Sequence, residues 1–506
     1  MKKLVGQVIL WHRYLGIIFC LFFATWFASG IVMLYARMPE LTEQDRLAHL
    51  RPIDPATLNL SAVQSFQRTD LGGTPQRVTI SMVGQRPAYH FLPAVGRWVT
   101  VFADDGSLLQ GVDRESSVRI AREFSHSPNE KMQWMEELKD VDQWTVYPAS
   151  RRYLPFQRIA AEDGKGTGYY VSEATGSVFL RTTARSRLLA WCGAIPHWWY
   201  IRALRANTPL WRAVMILVSA WGIVMCTAGI LTGILRFSPS RRYRFPGPKY
   251  SFIPYTGWKR WHNVLGAVFG IFVFTWIFSG LFTVNPGYWS PGPDPTPEEA
   301  RAFAGASLDP AAFSLTPAQG ITSLAKCIQP VELELITFQR KPYYLGRDRQ
   351  SQVQLLSASG SSDTCISGLP TNELVEAARR VVGGSPVIDS TLLNQFDTYY
   401  YTDLTFRRPL PVLRVRFSDV HHTWLYVNPR TALIQASYPD RTRIQRWLYE
   451  GLHDLDFPFL YRHRPAWDAT VISLVAGGLV LSITGVILGT RYLQRTVRKR
   501  IRAHPA

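Results

Sequence analysis

Residues 11–30, WHRYLGIIFCLFFATWFASG, return as residues 261–280, WHNVLGAVFGIFVFTWIFSG. An offset of 250 superposes Trp11 on Trp261, His12 on His262, Leu15 on Leu265, Gly16 on Gly266, Thr25 on Thr275, Trp26 on Trp276 and the closing Ser-Gly pairs. Each copy reads as an apolar helix opened by a histidine, with the glycine four residues on and on the same face. Glycine has no side chain to hold a flat ligand off the backbone, so a planar group carried by the histidine has room to lie against the helix. The pattern points to a histidine-ligated haem between two helices, with His12, His262, Gly16 and Gly266 at its surface.

Four apolar runs, 14–36, 213–235, 264–284 and 469–490, contain no Asp, Glu, Lys or Arg, and each is near the ~20 residues that cross a bilayer. The first is not a cleaved leader, because its twin lies in mid-chain. Residues 4–10 extend it backwards to Lys2 and Lys3, which sets His12 about 12 Å inside the helix. Arg13, beside it, is available to snorkel or to pair with an anionic group such as a haem propionate.

A net charge of +19 over 506 residues suggests nucleic acid until its placement is considered. The N-terminus, the 237–257 loop, which includes Lys249, and the 491–506 tail are basic and free of acid, whereas the long polar segments are close to balanced. That distribution is the positive-inside signature of a membrane protein and argues against a nucleic-acid partner. It puts both termini and the loop in the cytoplasm and sends residues 37–206 and 285–465 outward. The expected order is helix 4–36, outward domain 37–206, helix 207–236, basic loop 237–257, helix 258–284, outward domain 285–465, helix 466–490 and basic tail 491–506.

Hairpin patterns mark the outward segments as α+β: 97–102 with 107–109, 168–171 with 177–180, and 423–427 with 432–434, with a helix over 372–382. A second register, offset by 256, superposes Val171 on Val427, Trp191 on Trp447, His197 on His453, Trp211 on Trp467, Gly229 on Gly485 and Gly233 on Gly489. The chain therefore reads as two homologous halves, related as parallel repeats are by an axis along the membrane normal. Cys327 and Cys365 share the second outward segment, where an oxidising compartment permits a bridge. No C-x-x-C-H occurs, so covalent c-type haem is not indicated.

Eleven histidines are present, and four recur between halves: His12 with His262 and His197 with His453. A pseudo-twofold along the normal brings each pair together, the geometry of two bis-histidine haems, one towards each face. His421, His422 and His463 compete for the outer position, and His49, His90, His126 and His504 read as surface residues. The competing reading makes the paired histidines ordinary residues of interfacial aromatic belts, beside Trp198 and Trp199. Four scattered histidines without carboxylates or thiolates at ligand spacing make a poor zinc site.

The W-H-x-x-L-G openings, the T-W-x-x-S-G interiors and the hairpins YYVSEATGSVFL and LYVNPRTALI make the sequence resemble the PepSY-associated transmembrane helix family of bacterial inner-membrane proteins. The resemblance implies a four-span α-helical membrane bundle from two homologous halves with two α+β PepSY-like periplasmic domains. It also implies a haem b reductase of ferric siderophores, with two haem b per chain held by His12, His262, His197 and His453. The chain shows no flavin or nicotinamide domain, so the electrons come from a separate cytoplasmic or quinol donor. Trp198, Trp199, Arg202, Arg205, Arg462 and Arg464 supply flat faces and positive charge for docking a chelate. The rival class is a haem-free, membrane-anchored PepSY protein that binds or regulates a peptide or protease. A transporter is a third reading, weakened by the lack of charged residues in the spans.

Overall fold

The computed structural model describes residues 2–127, 129–245, 250–360, 363–402 and 407–503. Lys249 of the basic loop and His504 of the tail lie outside them. It divides into two compact units, Met1–Arg37 with Leu189–Ser290 and Arg443–Ala506, and Met38–Leu188 with Pro291–Thr442.

The first unit is built on the helices Lys2–Met33, Thr208–Arg236, Gly257–Thr283 and Arg464–Ala503. Among the described residues, these four are long and apolar enough to cross a membrane. The first starts at Lys2 and so includes residues 4–10. The second starts where the Asn207 side chain accepts from Leu210 N, with Pro209 in the first turn where no backbone donor is lost. The third ends before Asn285, which turns left-handed at φ 47° ahead of Pro286. The first and third spans each pack on the second and the fourth, closing a ring of four. Phe19, Phe23, Trp26, Phe27 and Trp276 fill its interior, while Ile18, Leu21, Leu217, Val268 and Ile271 stay exposed. Such an apolar sheath is costly in water and at home in lipid.

The second unit is sheet. The strands Phe156–Ala161, Gly168–Ser172 and Ser177–Thr182 form a meander with Met132–Leu138, and Val412–Phe417, Trp424–Asn428 and Leu433–Tyr438 form the same meander with Val387–Leu393. The helices Arg114–Ser125 and Thr371–Val381 bury Ala121 and Phe124, and Leu374, Ala377 and Ala378, as amphipathic spacing dictates. Two of the expected hairpins are these meanders. The 97–109 pattern yields the strand Val99–Phe102 and a single bridge from Val101 to Leu108. Cys327 and Cys365 are joined.

Where the sequence reads as two outward α+β domains, the structure joins them. Arg77–Val83, Arg86–Leu92 and Val99–Phe102 of the first segment and Glu332–Phe338, Lys341–Arg347 and Val353–Ser357 of the second make one six-stranded sheet. The joint is the antiparallel pairing of Val78 with Leu335 through Ser81 with Glu332. Pairing removes two strand edges that would otherwise leave backbone groups open to other chains. One face of the sheet buries Val78, Ile80, Leu333 and Leu335 with Phe91 and Tyr344.

The other face carries charge across the joint. Arg347 contacts Glu334 at 2.6 Å and Glu332 at 3.3 Å, Arg77 contacts Glu334 at 2.8 Å, and Arg46 contacts Glu332 at 2.7 Å. Burial opposes an ionised Glu332, yet Arg46 and Arg347 outweigh it and hold the carboxyl down at about 2. His90, expected at the surface, is interior instead: its Nδ1 meets Thr100 Oγ1 at 2.9 Å and its Nε2 meets Ser81 Oγ at 3.0 Å. Thr100 gives its proton to the carbonyl of Ala174, so it accepts from Nδ1 and leaves Ser81 to donate to Nε2. His49 is half-buried and stacks on Phe124 and on the exposed His126.

Candidate functional site

The first unit brings the four recurring histidines together as two pairs. The ring centres of His12 and His262 are 6.0 Å apart with their planes at 33°, and those of His197 and His453 are 6.1 Å apart at 71°. His12 and His262 come from the first and third spans. His197 sits on the short helix Ala194–Trp198, and His453 follows a π-helical turn, Trp447–Gly451. Along the first span the pairs are well separated, since Gly30, which touches His197, is eighteen residues from His12, roughly 27 Å of helix.

The hydrogen bonds of each ring fix its tautomer. His12 Nδ1 lies 3.2 Å from the carbonyl of Met225, which can only accept. His262 Nδ1 lies 2.8 Å from Thr484 Oγ1, whose proton goes to Leu481 O, so the hydroxyl accepts too. His197 Nδ1 lies 3.1 Å from Trp26 O and 3.2 Å from Ser29 Oγ, and the Ser29 proton is spent on Thr25 O. His453 repeats the arrangement with Trp276 O at 3.2 Å and Ser279 Oγ at 3.1 Å. All four rings therefore carry their proton on Nδ1 and keep the Nε2 lone pair, which no polar atom of the described residues engages. An acceptor at Nδ1 is also what orients an imidazole that ligates a metal through Nε2.

Each ring also leans on a glycine. A Cβ at Gly229 would stand 2.7 Å from His12 Cε1, and one at Gly280 would stand 3.3 Å from His453 Cε1. Gly30 and Gly485 lie beside His197 and His262 more loosely, where an added Cβ would stand at 3.5 and 3.7 Å, ordinary contact distances. These are not the glycines expected from the helix-face argument: a Cβ at Gly16 meets nothing within 4 Å, and one at Gly266 meets only Leu481. The notches come from neighbouring spans, which one helix read alone does not reveal. Their signal was in the chain all the same, because Gly229 recurs at Gly485 and Ser29-Gly30 at Ser279-Gly280.

An imidazole nitrogen bonds a first-row metal at about 2 Å, so one iron shared by two rings sets their centres roughly 6 Å apart. Both pairs fit that distance. Among the described residues no three His, Cys, Asp or Glu side chains come together to hold an ion. Two imidazoles do not complete the site of a bare ion, but they complete that of haem, which brings four equatorial nitrogens and takes only its axial ligands from the protein.

Of the other expected residues, Arg13 is exposed and sets its guanidinium over Tyr492 at 5.7 Å. Arg205 is corrected: it is 6 % exposed, lies over Tyr200 and Trp211, and bonds Thr208, so it is a packing residue and not a docking one. Trp199 packs its ring on Phe22 and Trp26, Trp198 lies beside Tyr200, and Arg464 pairs with Asp468 over Trp467. Arg202 and Arg462 are exposed. Of the competing histidines, His463 bonds Phe459 O one turn back, and His421 and His422 belong to the sheet unit, where His422 meets Asp440.

No curated protein matches the chain. The model of the PepSY-associated TM region matches residues 9–321, which take in the first span, His197, the second span and the third, so the chain is a membrane protein belonging to the PepSY-associated transmembrane family.

Proposed function

We propose that this protein carries electrons from the cytoplasmic side of a bacterial inner membrane to the periplasm and reduces ferric siderophores there, using two haem b groups. The observation that carries the reading is the pair of histidine pairs at 6.0 and 6.1 Å, every Nδ1 anchored and every Nε2 left for a metal. His12 and His262 would hold one group, and His197 and His453 the other. Haem held by two histidines would supply one-electron transfer and not oxygen chemistry. The chain's own residues do the rest. Met225, Thr484, Trp26 and Trp276 hold the Nδ1 protons, the glycine notches set how closely the rings approach their neighbours, and the aromatic interior keeps water out between the pairs.

Two homologous halves form part of the same proposal. Matching contacts support it: Trp211 Nε1 donates to Trp198 O and Trp467 Nε1 to Asp454 O, 256 residues on. The basic, acid-free loop and tail support cytoplasmic termini and periplasmic placement of the sheet unit. Reduction suits iron release because hard oxygen chelators hold Fe(II) far more weakly than Fe(III), so one electron loosens the metal. The electron comes from a separate cytoplasmic or quinol donor. Arg202 and Arg462, both exposed, and Trp198 are the residues proposed to meet an anionic chelate.

The test starts with purified protein. Two haem b per chain are expected, released by acid-acetone, with His12→Ala or His262→Ala removing one spectral species and His197→Ala or His453→Ala the other. Dithionite-reduced protein, mixed anaerobically with ferric siderophores, should reoxidise as ferrozine traps stoichiometric Fe(II). A preparation without a Soret band would leave the haem-free regulatory reading standing. Haems that reoxidise only with other acceptors would rule out the siderophore.

A further inference from the structure

The two histidine pairs share their distance and their tautomer but differ in the angle between the rings: 33° in the His12–His262 pair and 71° in the His197–His453 pair. The rings are also held differently. In the inner pair the anchors lie on the second and fourth spans, Met225 O for His12 and Thr484 Oγ1 for His262. In the outer pair each ring is pinned at Nδ1 by two atoms one turn apart on the first or third span, Trp26 O with Ser29 Oγ and Trp276 O with Ser279 Oγ. Both serines are buried, at 2 % and 0 % exposure, and each hydroxyl gives its proton to its own helix backbone, Ser29 to Thr25 O and Ser279 to Trp276 O. Each is therefore held as an acceptor, and a ring pinned on two sides has lost its freedom to turn about the Cβ–Cγ bond.

The angle matters because an imidazole π orbital overlaps the one iron d orbital that lies perpendicular to the ring plane. Rings near parallel act on the same d orbital and raise it above its partner, which gives ferric iron a low-lying place for its unpaired electron hole. Crossed rings act on one orbital each, leave the two nearly equal in energy, and forfeit that stabilisation of the ferric state. Ligand orientation and the hydrogen bonds behind it are among the levers by which a protein tunes such a centre.

We propose that Ser29 and Ser279 are positioning residues that lock the outer imidazoles crosswise, so that the outer site is the strongly anisotropic, more easily reduced of the two. The inference rests on the haem reading above. It makes the outer end the one on which electrons settle, a built-in direction that depends on ring torsion and not on ligand identity, since all four ligands are histidines.

Electron paramagnetic resonance of the oxidised, full-length protein tests it. Two low-spin signals are expected, one rhombic and lost in His12→Ala, the other strongly anisotropic and lost in His197→Ala. Redox titration should put the outer midpoint higher by at least a tenfold equilibrium constant, about 59 mV for one electron. Ser29→Ala with Ser279→Ala should move the anisotropic signal towards the rhombic form with haem content unchanged, and Ser29→Thr with Ser279→Thr should restore it. Two rhombic signals, an anisotropic signal that vanishes with His12→Ala, an outer midpoint below the inner one, or serine variants with unaltered spectra would each overturn the proposal. Protein without haem would instead overturn the reading on which it rests.

Discussion

Gly229 of the second span lies so close to His12 of the first that a Cβ there would sit 2.7 Å from Cε1 and 3.0 Å from Nδ1. The ring has little room to retreat, because its Nδ1 is tied to Met225 O on the same span as the glycine. Gly229→Ala should lower the content of the haem assigned to His12 and His262, and Gly229→Val should abolish it, with the other haem retained. Gly16→Ala, where the added carbon meets nothing, should keep both. Pyridine haemochrome ratios on the purified variants decide the matter, and full occupancy in Gly229→Val would contradict the packing argument.

The charged face of the shared sheet makes a second expectation. Glu334→Ala removes the carboxylate that buried Arg347 and partly exposed Arg77 both contact, and leaves Arg347 with only the longer contact to Glu332 and the exposed Glu43. Removing one partner of a buried ionic cluster costs about 3–5 kcal/mol. The exposed pair Lys326–Asp363 serves as control, because Lys326→Ala should cost under about 1 kcal/mol. Urea melts of the solubilised protein, read by hydrogen exchange at the sheet amides, measure both. Equal effects would mean that the cluster adds no more than a surface pair does.

Acid should loosen the same sheet in two stages. Burial pushes the His90 imidazole down to about 4 from 6.5, with Glu332 opposing and Arg46 adding to the shift. A histidine held neutral in the fold stabilises fully above pH 6.5, and the contribution is lost as pH falls from 6.5 towards 4, about 3 kcal/mol in all. Glu332, held down at about 2 from 4.5, adds a second loss as pH falls from 4.5 towards 2. In His90→Gln the first stage should disappear and the second remain. Melts across pH 7 to 2 check this, and parallel curves for wild type and variant would remove His90 from the account.

Topology is testable without any cofactor. A reporter fused after Ala506, or inserted within 240–245, should be active only in the cytoplasm. The basic segments that carry this expectation contain no acidic residue to dilute them. Periplasmic activity from either fusion would reverse the direction of the whole scheme.

Much of the candidate site was legible because its residues lie in stretches of sequence that recur. His12, His262, His197 and His453 stood out by recurring, and the spans by their lack of charge. Gly229 and Ser29 recurred too, yet their roles depend on which helix lies across from them, and a sequence read one helix at a time does not give that. Gly16 was chosen for sharing a face with His12, whereas the ring reaches across to another span. His90 looked like any polar surface residue. Only the pairing that sets it between Ser81 and Thr100, over the arginine-glutamate cluster, takes it inside. The joint between the outward segments was hidden for the same reason, since Val78 and Leu335 carry no mark of partnership that spacing alone exposes.

That joint has a consequence for how the chain is made. Arg77 and its partner Glu334 are 257 residues apart, so at ~5–20 residues per second the first edge strand leaves the ribosome tens of seconds before its mate exists. Two membrane spans must be synthesised in the interval. The strand Arg77–Val83 spends that time with an unpaired backbone edge, the state in which β-rich chains are most open to wrong partners. Production of this protein should thus be limited less by membrane insertion than by how well the half-made sheet is shielded. A chain truncated before residue 332 should be taken by proteases even with its first three spans in place.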